Sequence, residues 1–335
     1  MEFTILKLDN IKSEIKKENW GLEKTPQQIV NFALEKLDVN SFYVGYSGGK
    51  DSGIVLDLIA REYPKYFKGV IYVNTGIGTD ATRNFVKNIC DEKKYPLFEL
   101  SPASVQAQYS KYLKKGESFT YENLIKTFGF PDKRTHNQTM AWLKFYPMKQ
   151  FINSRIAAGE KPALISGVRK NESARRKYQS NYTKAPIDKA ESIIFVKPIY
   201  YKTNSWVSEF WIKNNMKRSP CYDTIGISGD CLCGCFSDSK ELKLLETYHP
   251  DVFNKIKELE KSASSHSLHW GNSKKTTTND IEKQTTFDVE ENICNECHFN
   301  DEINPLLRLN KNQLDIILNE SPKKISRNQK KIITK

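Results

Sequence analysis

The hexapeptide Ser47-Gly48-Gly49-Lys50-Asp51-Ser52 holds residue types suited to chemistry on a phosphate. Adjacent glycines let successive backbone N–H groups converge, and a helix beginning beside them aims its positive end at the same point. Lys50 adds a mobile cation beside that nest of amides. The order differs from the Walker A pattern, in which four residues separate the first glycine from Gly-Lys-Ser/Thr. Phe42 and Val44 precede the loop as a buried strand, and Ile54, Val55, Leu58 and Ile59 follow at helical spacing. Strand, glycine loop and helix together read as a nucleotide site.

Two further constellations carry chemistry. Cys221, Cys231, Cys233 and Cys235 fall within fifteen residues, with Gly229 and Gly234 among them. Four thiolates so close can hold one centre, a [4Fe-4S] cluster or alternatively Zn2+. Cys294 and Cys297 form a C-x2-C pair, a metal-type spacing that would let them share a zinc site with the other four. Cys90 lies four residues after Val86 in a helical pattern and reads as core. Arg169, Arg175 and Arg176 follow an apolar strand over Ala163–Gly167. Guanidinium forks there match the oxygens of phosphate or sulfate; the alternative is a solvated basic helix start.

These groups need a scaffold. Gly69–Asn74 reads as a second strand ending at Thr75-Gly76-Ile77-Gly78, with Asp80 capping a helix through Phe85, Val86 and Ile89. Pro96–Leu100 gives a third strand, and a helical stretch follows near Val105–Leu113. Gly129–Ile152 holds a loop and two helical pieces, broken or restarted at Pro147. Alternating strands and helices predict a parallel sheet, and ligands on such sheets sit beyond the strand C-termini. Residues 1–40 form a helical segment, with Thr25-Pro26 and Gln28 marking a helix start.

The 335 residues and net charge of +12 describe a globular chain that favours anionic partners. No run of eighteen apolar residues exists, so no membrane span is expected. The first residues lack the order of a signal peptide, and the expected location is cytoplasmic, where thiols stay reduced.

Ser47–Ser52 resembles the PP-loop of the adenine-nucleotide α-hydrolase superfamily. Gly167-Val168-Arg169 with Glu172-Ser173 and Arg175-Arg176 looks like a motif of the phosphoadenosine phosphosulfate (PAPS) reductase family. Thr75-Gly76-Ile77, then Thr82 and Phe85, resembles that family's second nucleotide loop. Leu143-Lys144 with Pro147 is similar to its Lys-x-x-Pro helix, and Val196-Lys197-Pro198-Ile199 with Trp206 and Val207 to its Pro-Ile/Leu…Trp…Val stretch. The resemblance implies an α/β fold with a mostly parallel five-stranded sheet flanked by helices, followed by a cysteine-rich C-terminal segment. It implies an adenine nucleotide, ATP or adenylyl sulfate/PAPS, held by Ser47, Gly48, Gly49, Lys50, Asp51, Ser52, Thr75, Gly76, Gly167, Arg169 and Arg175. Lys50, Asp51, Arg169 and Cys297 would serve the reaction.

The chain departs from the family in two places. Thr135–Thr139 has no cysteine where iron–sulfur reductases place a pair, and Glu296-Cys297-His298 lacks the glycine of their C-terminal Glu-Cys-Gly-x-His. Two chemistries follow from the resemblance. One is sulfonucleotide reduction with a thioredoxin-like reductant. The other is an ATP-pyrophosphatase-type sulfur transfer from a sulfur donor to a nucleic acid, as in DNA phosphorothioation or tRNA thiolation. A nucleic-acid-binding module with a regulatory nucleotide site is the reading from another class, and a homodimer is compatible with any of them. The expected organisation is a helical segment (1–40), a nucleotide-binding core (41–200) and a helical, cysteine-rich segment (201–261). A flexible linker (262–290) and the C-x2-C with a basic tail (291–335), which is either solvated or a contact for nucleic acid, complete it.

Overall fold

The computed structural model describes residues 2–105, 117–132, 135–170, 185–263 and 269–271. Two helices, α1 (Glu2–Lys17) and α2 (Pro26–Lys36), lead into the sheet. α2 starts where the sequence marks it: Thr25 and Gln28 exchange side-chain-to-backbone hydrogen bonds in a capping box, and Pro26 occupies the first turn. The core then alternates β1 (Ser41–Gly45), α3 (Lys50–Glu62), β2 (Phe67–Val73), α4 (Asp80–Lys93) and β3 (Leu97–Leu100). Thr79, one residue before the expected Asp80, caps α4 by accepting from the Thr82 amide.

α5 (Tyr121–Phe128) is followed by an unbroken helical run: α6 (His136–Met140), a π-turn (Ala141–Phe145) and α7 (Tyr146–Ala157). Pro147 sits in the first turn of α7 without interrupting it, because the wide π-turn before it needs no ordinary amide bond there. β4 (Pro162–Ile165) then inserts beside β1.

The sheet has six strands in the order β3-β2-β1-β4-β6-β5, one more than expected. It ends in a hairpin of β5 (Ile187–Ala190) and β6 (Ile193–Val196), whose second strand runs parallel to β4 and whose first is the antiparallel edge. Side chains alternate across β1, as a pleated strand requires. Phe42 and Val44 face a core with α2, α3 and Cys90, while Tyr43 faces Ile152 of α7 and Leu164. Cys90 is fully buried, and burial pushes its thiol up to about 11, as a core residue's should be.

Beyond the sheet lie α8 (Asn204–Lys213), α9 (Cys221–Thr224), α10 (Ser239–Tyr248) and α11 (Pro250–Ser262). A third apolar cluster joins α5, the π-turn, α10, α11 and the cysteine-rich loop. Trp270, within the serine-rich stretch after α11, closes this cluster and donates its indole N–H to the Leu232 carbonyl at 2.8 Å. The helix expected near Val105–Leu113 lies mostly outside the described residues. No helix among the described residues is long and apolar enough to cross a membrane.

Candidate nucleotide site

β1 delivers the chain to Ser47 and α3 takes it away from Lys50, so the loop between them lies at the carboxyl edge of the sheet. Gly48 adopts φ +74°, which admits glycine at little strain and turns the loop back on itself. The loop is tied internally: Ser52 Oγ lies 3.1 Å from Ser47 Oγ and donates to the Gly49 carbonyl at 3.0 Å. Gly49 caps α3 with no side-chain acceptor, leaving the first-turn amides and the helix dipole directed at the space above the loop. Lys50 Nζ stands over the Trp211 ring at 5.4 Å from its centroid, at the rim of that space.

The space is a cleft of about 300 Å³ whose walls come from distant parts of the chain. Gly45–Ser47 and Gly49–Ser52 form one wall, Ser166–Val168 after β4 a second, and Tyr222, Ser228 and Asp230 a third. That third wall is the cysteine-rich loop laid along the turn after β2, Thr75–Thr79. Thr79 N donates to the Gly229 carbonyl and Leu232 N to the Ile77 carbonyl, both at 2.8 Å. Ser219 N also donates to the Gly48 carbonyl at 3.0 Å, binding the segment to the PP-loop itself.

Two buried ion pairs set the electrostatics. Arg169, 1% exposed, donates through Nε to Asp51 Oδ2 at 3.0 Å and through Nη1 to Asn204 Oδ1 at 2.7 Å and the Lys202 carbonyl at 3.3 Å. Lys144, on the π-turn, donates to Asp230 Oδ2 at 2.7 Å, and Ser228 Oγ donates to the other carboxylate oxygen at 2.7 Å. A polyanion entering the cleft therefore meets amides, Lys50 and a lysine already aimed by a carboxylate.

The family model that matches this chain is the phosphoadenosine phosphosulfate reductase domain, over residues 41–236. The chain belongs to that family. The match begins at β1 and ends one residue past Cys235, so the PAPS reductase domain takes in every wall of the cleft. Comparison with curated proteins returned no match. Among solved structures, the chain resembles PAPS reductase from Candida auris in its phosphate complex: 16% identity, 60% of this chain and 85% of that one, TM-score 0.40. It also resembles the NH3-dependent NAD synthetase of Campylobacter jejuni (16% identity, 75% and 96% covered, TM-score 0.38). Yeast FAD synthetase is a third (13% identity, 77% and 91% covered, TM-score 0.35). Identities this low bear on the fold only.

Within this PAPS reductase domain, Ser47, Gly49, Lys50, Asp51, Ser52 and Gly167 line the cleft, and Gly48 shapes the loop beneath it. Three of the residues expected at the nucleotide lie off the cleft lining. The fork of Arg169 is turned inward onto Asp51 and Asn204, because a guanidinium this deeply buried must bind protein acceptors. Thr75 is fully buried and donates to the Asp230 carbonyl at 3.4 Å. Gly76 is exposed, and its carbonyl accepts from Lys255. Arg175, Cys294 and Cys297 lie outside the described residues. Lys144, Tyr222, Ser228 and Asp230 join the cleft without having been singled out for it. Only Lys144 had a signal, the Lys-x-x-Pro spacing.

The four cysteines expected to share one centre are Cys221, Cys231, Cys233 and Cys235; among the described residues no group of three or more His, Cys, Asp or Glu is arranged to hold a metal ion. Cys233 and Cys235 approach to 3.5 Å, but Cys221 faces the other way, toward hydroxyls of Thr79 at 3.0 Å and Thr82 at 3.3 Å. Burial pushes the Cys221 thiol up, yet hydrogen bonds from His249, Thr79, Thr82 and Ser219 outweigh it and hold the pKa below the usual thiol value. Cys231 goes the opposite way, raised by its hydrogen bond with Cys233 and by burial. Cys221 is thus surrounded by hydroxyl donors, and Cys231 by a neighbouring thiol. Cys221→Ser keeps the hydroxyl partners and should leave the metal content of anaerobically purified protein unchanged, with stability lowered by about 1.5 kcal/mol or less. A loss of iron or zinc in that variant, measured by elemental analysis, would restore the single-centre reading.

Proposed function

We propose that the chain is a PP-loop enzyme that binds ATP with its phosphate chain in the cleft above Ser47–Ser52, and uses it to activate an acceptor for sulfur transfer. The observation that carries this reading is that the cleft above the PP-loop holds two carboxylates beside its lysines: Asp51, tied to the buried Arg169, and Asp230, tied to Lys144. Mg2+ is characteristically held by one or two carboxylates together with substrate phosphates. Asp51, on the loop that cradles the phosphates, is the residue fitted to that task. Bound there with the nucleotide, Mg2+ would neutralise charge on the phosphate oxygens.

The chain's own groups then divide the work. The first-turn amides of α3 and the Lys50 ammonium stabilise charge that develops on the phosphates. An acceptor oxygen bonds to the α-phosphorus as the bond to the β-phosphate oxygen breaks, and pyrophosphate leaves with that electron pair. A sulfur nucleophile then displaces AMP from the activated acceptor. The buried Arg169 holds Asp51 in place, so the loop is ordered before the nucleotide arrives.

The family match favours a second reading, reduction of adenylyl sulfate or PAPS in the same cleft. Calorimetric titration with and without Mg2+ separates the two. The ATP reading expects ATP to bind more tightly with Mg2+ and more tightly than adenylyl sulfate. Tight binding of adenylyl sulfate or PAPS that is indifferent to a chelator would move the assignment to reduction. Lys50→Ala should lower nucleotide turnover by roughly two orders of magnitude, the scale for removing one preorganised charge-stabilising donor. Unchanged nucleotide affinity and turnover in that variant would remove the cleft as the site.

A further inference from the structure

Asp230 occupies an unusual position for an acidic side chain in a cleft built for phosphates. It is 4% exposed, both of its carboxylate oxygens are engaged, and its backbone is locked against the turn after β2. The hydrogen bonds from Thr79 to Gly229 and from Leu232 to Ile77 bracket it on either side, so the carboxylate cannot swing away without unzipping that contact. Its partner Lys144 sits on the π-turn, a geometry common where a helix must present a functional side chain. The charged side chains on the cleft walls are Lys50, Lys144, Asp51 and Asp230; Asp51 is already paired with the buried Arg169, so Asp230 is the counter-charge to Lys144. A lysine so paired attracts a small bare anion less than a lone ammonium would.

We infer that Asp230 is a specificity-determining counterweight: it aims the Lys144 ammonium at the phosphate chain while cancelling its charge toward inorganic anions. The chemical class discriminated is a nucleotide's phosphate chain, which brings nucleoside contacts, against free pyrophosphate or sulfate, which brings charge alone. Release of an inorganic anion formed in the cleft is helped by the same balance. The inference deepens the proposed function and rests on it only in taking this cleft as the place where the phosphate chain lies.

The test uses the full chain and inorganic pyrophosphate as the probe, by calorimetry without nucleotide. Asp230→Asn keeps shape and hydrogen-bonding capacity and removes the charge; pyrophosphate should bind about tenfold more tightly, the scale for a charge-assisted contact freed from its counter-charge. Lys144→Met leaves the carboxylate alone and should weaken pyrophosphate binding by about as much. The double variant removes both charges and should return to within roughly threefold of wild type, a cycle that a merely structural role would not produce. It also carries no unpaired buried charge, so it keeps the test open should either single variant fail to fold. A double variant as weak as Lys144→Met would overturn the inference, as would Asp230→Asn with pyrophosphate affinity equal to or below wild type. Failure of the nucleotide reading looks different: wild type would bind no adenine nucleotide, whatever the order of the pyrophosphate affinities.

Discussion

Gly167→Ala should abolish productive nucleotide binding although it adds a single methyl group. A Cβ there would stand 2.7 Å from the Asp51 carbonyl carbon, 2.8 Å from its oxygen and 2.8 Å from the Ser52 amide nitrogen. All three are backbone atoms, so no rotamer change relieves the overlap. Either the turn after β4 or the first turn of α3 must move. Over-packing of this kind costs about 1–3 kcal/mol of stability. The larger effect is functional, because the displaced atoms belong to the loop that positions Lys50 and the helix amides. A shift approaching 1 Å at such groups lowers turnover on the order of 100-fold. Gly45→Ala is the matched control, since its Cβ would meet the Ile165 carbonyl at an ordinary 3.6 Å. Denaturant unfolding and nucleotide calorimetry on both variants check the contrast. Gly167→Ala behaving like Gly45→Ala would mean that the loops are not packed as closely as described.

That close approach explains why parts of the site were legible in sequence and others were not. The PP-loop is a local device: strand, glycines, lysine and helix are consecutive, so their types and order fix their geometry. The same locality made α2, with Thr25 and Gln28 in a capping box, and Cys90, at helical spacing behind Val86, readable. The β5–β6 hairpin was not, because Ile187–Ala190 is only four residues long, carries Asp188 and Lys189, and becomes a strand by pairing with Ile193–Val196. Period and composition are weak over so short an edge strand.

Asp230 was hidden by its neighbours. In the sequence it belongs to a cysteine run and suggests metal chemistry. In the fold that run is pressed against Thr75–Thr79, with the odd member turned into the cleft. Trp270 is a similar case: a lone aromatic in a serine-rich stretch packs over Gly234 and caps the cysteine loop. Both are consequences of long-range pairing, on which local pattern is silent. The wall built from residues 219–232 also changes the sense of the domain division, since the cysteine-rich segment completes the cleft of the nucleotide-binding core.

Arg169→Ala is expected to have a comparably large effect, chiefly through the fold of the loop. The guanidinium serves three acceptors on separate elements: Asp51 at the start of α3, the Lys202 carbonyl, and Asn204 at the start of α8. Truncating it leaves the Asp51 carboxylate, only 17% exposed, without its counter-charge. Breaking one side of a buried pair costs about 3–5 kcal/mol. Arg169→Lys should recover only a part, because one ammonium on a flexible stem cannot span acceptors that the planar fork meets from Nε and Nη1. Asn204→Ala removes a single charge-assisted hydrogen bond and should lose about 1.5–3 kcal/mol. Asp51→Asn combined with Arg169→Met removes both charges, so its loss should be smaller than the sum of the two single losses. Urea unfolding of these four variants, with Asp51→Asn and Arg169→Met also measured singly, gives the order directly. Were Arg169 a phosphate clamp facing the cleft, Arg169→Ala would keep wild-type stability and lose nucleotide affinity alone. The inward fork requires stability and affinity to fall together, with stability lost even when no nucleotide is present.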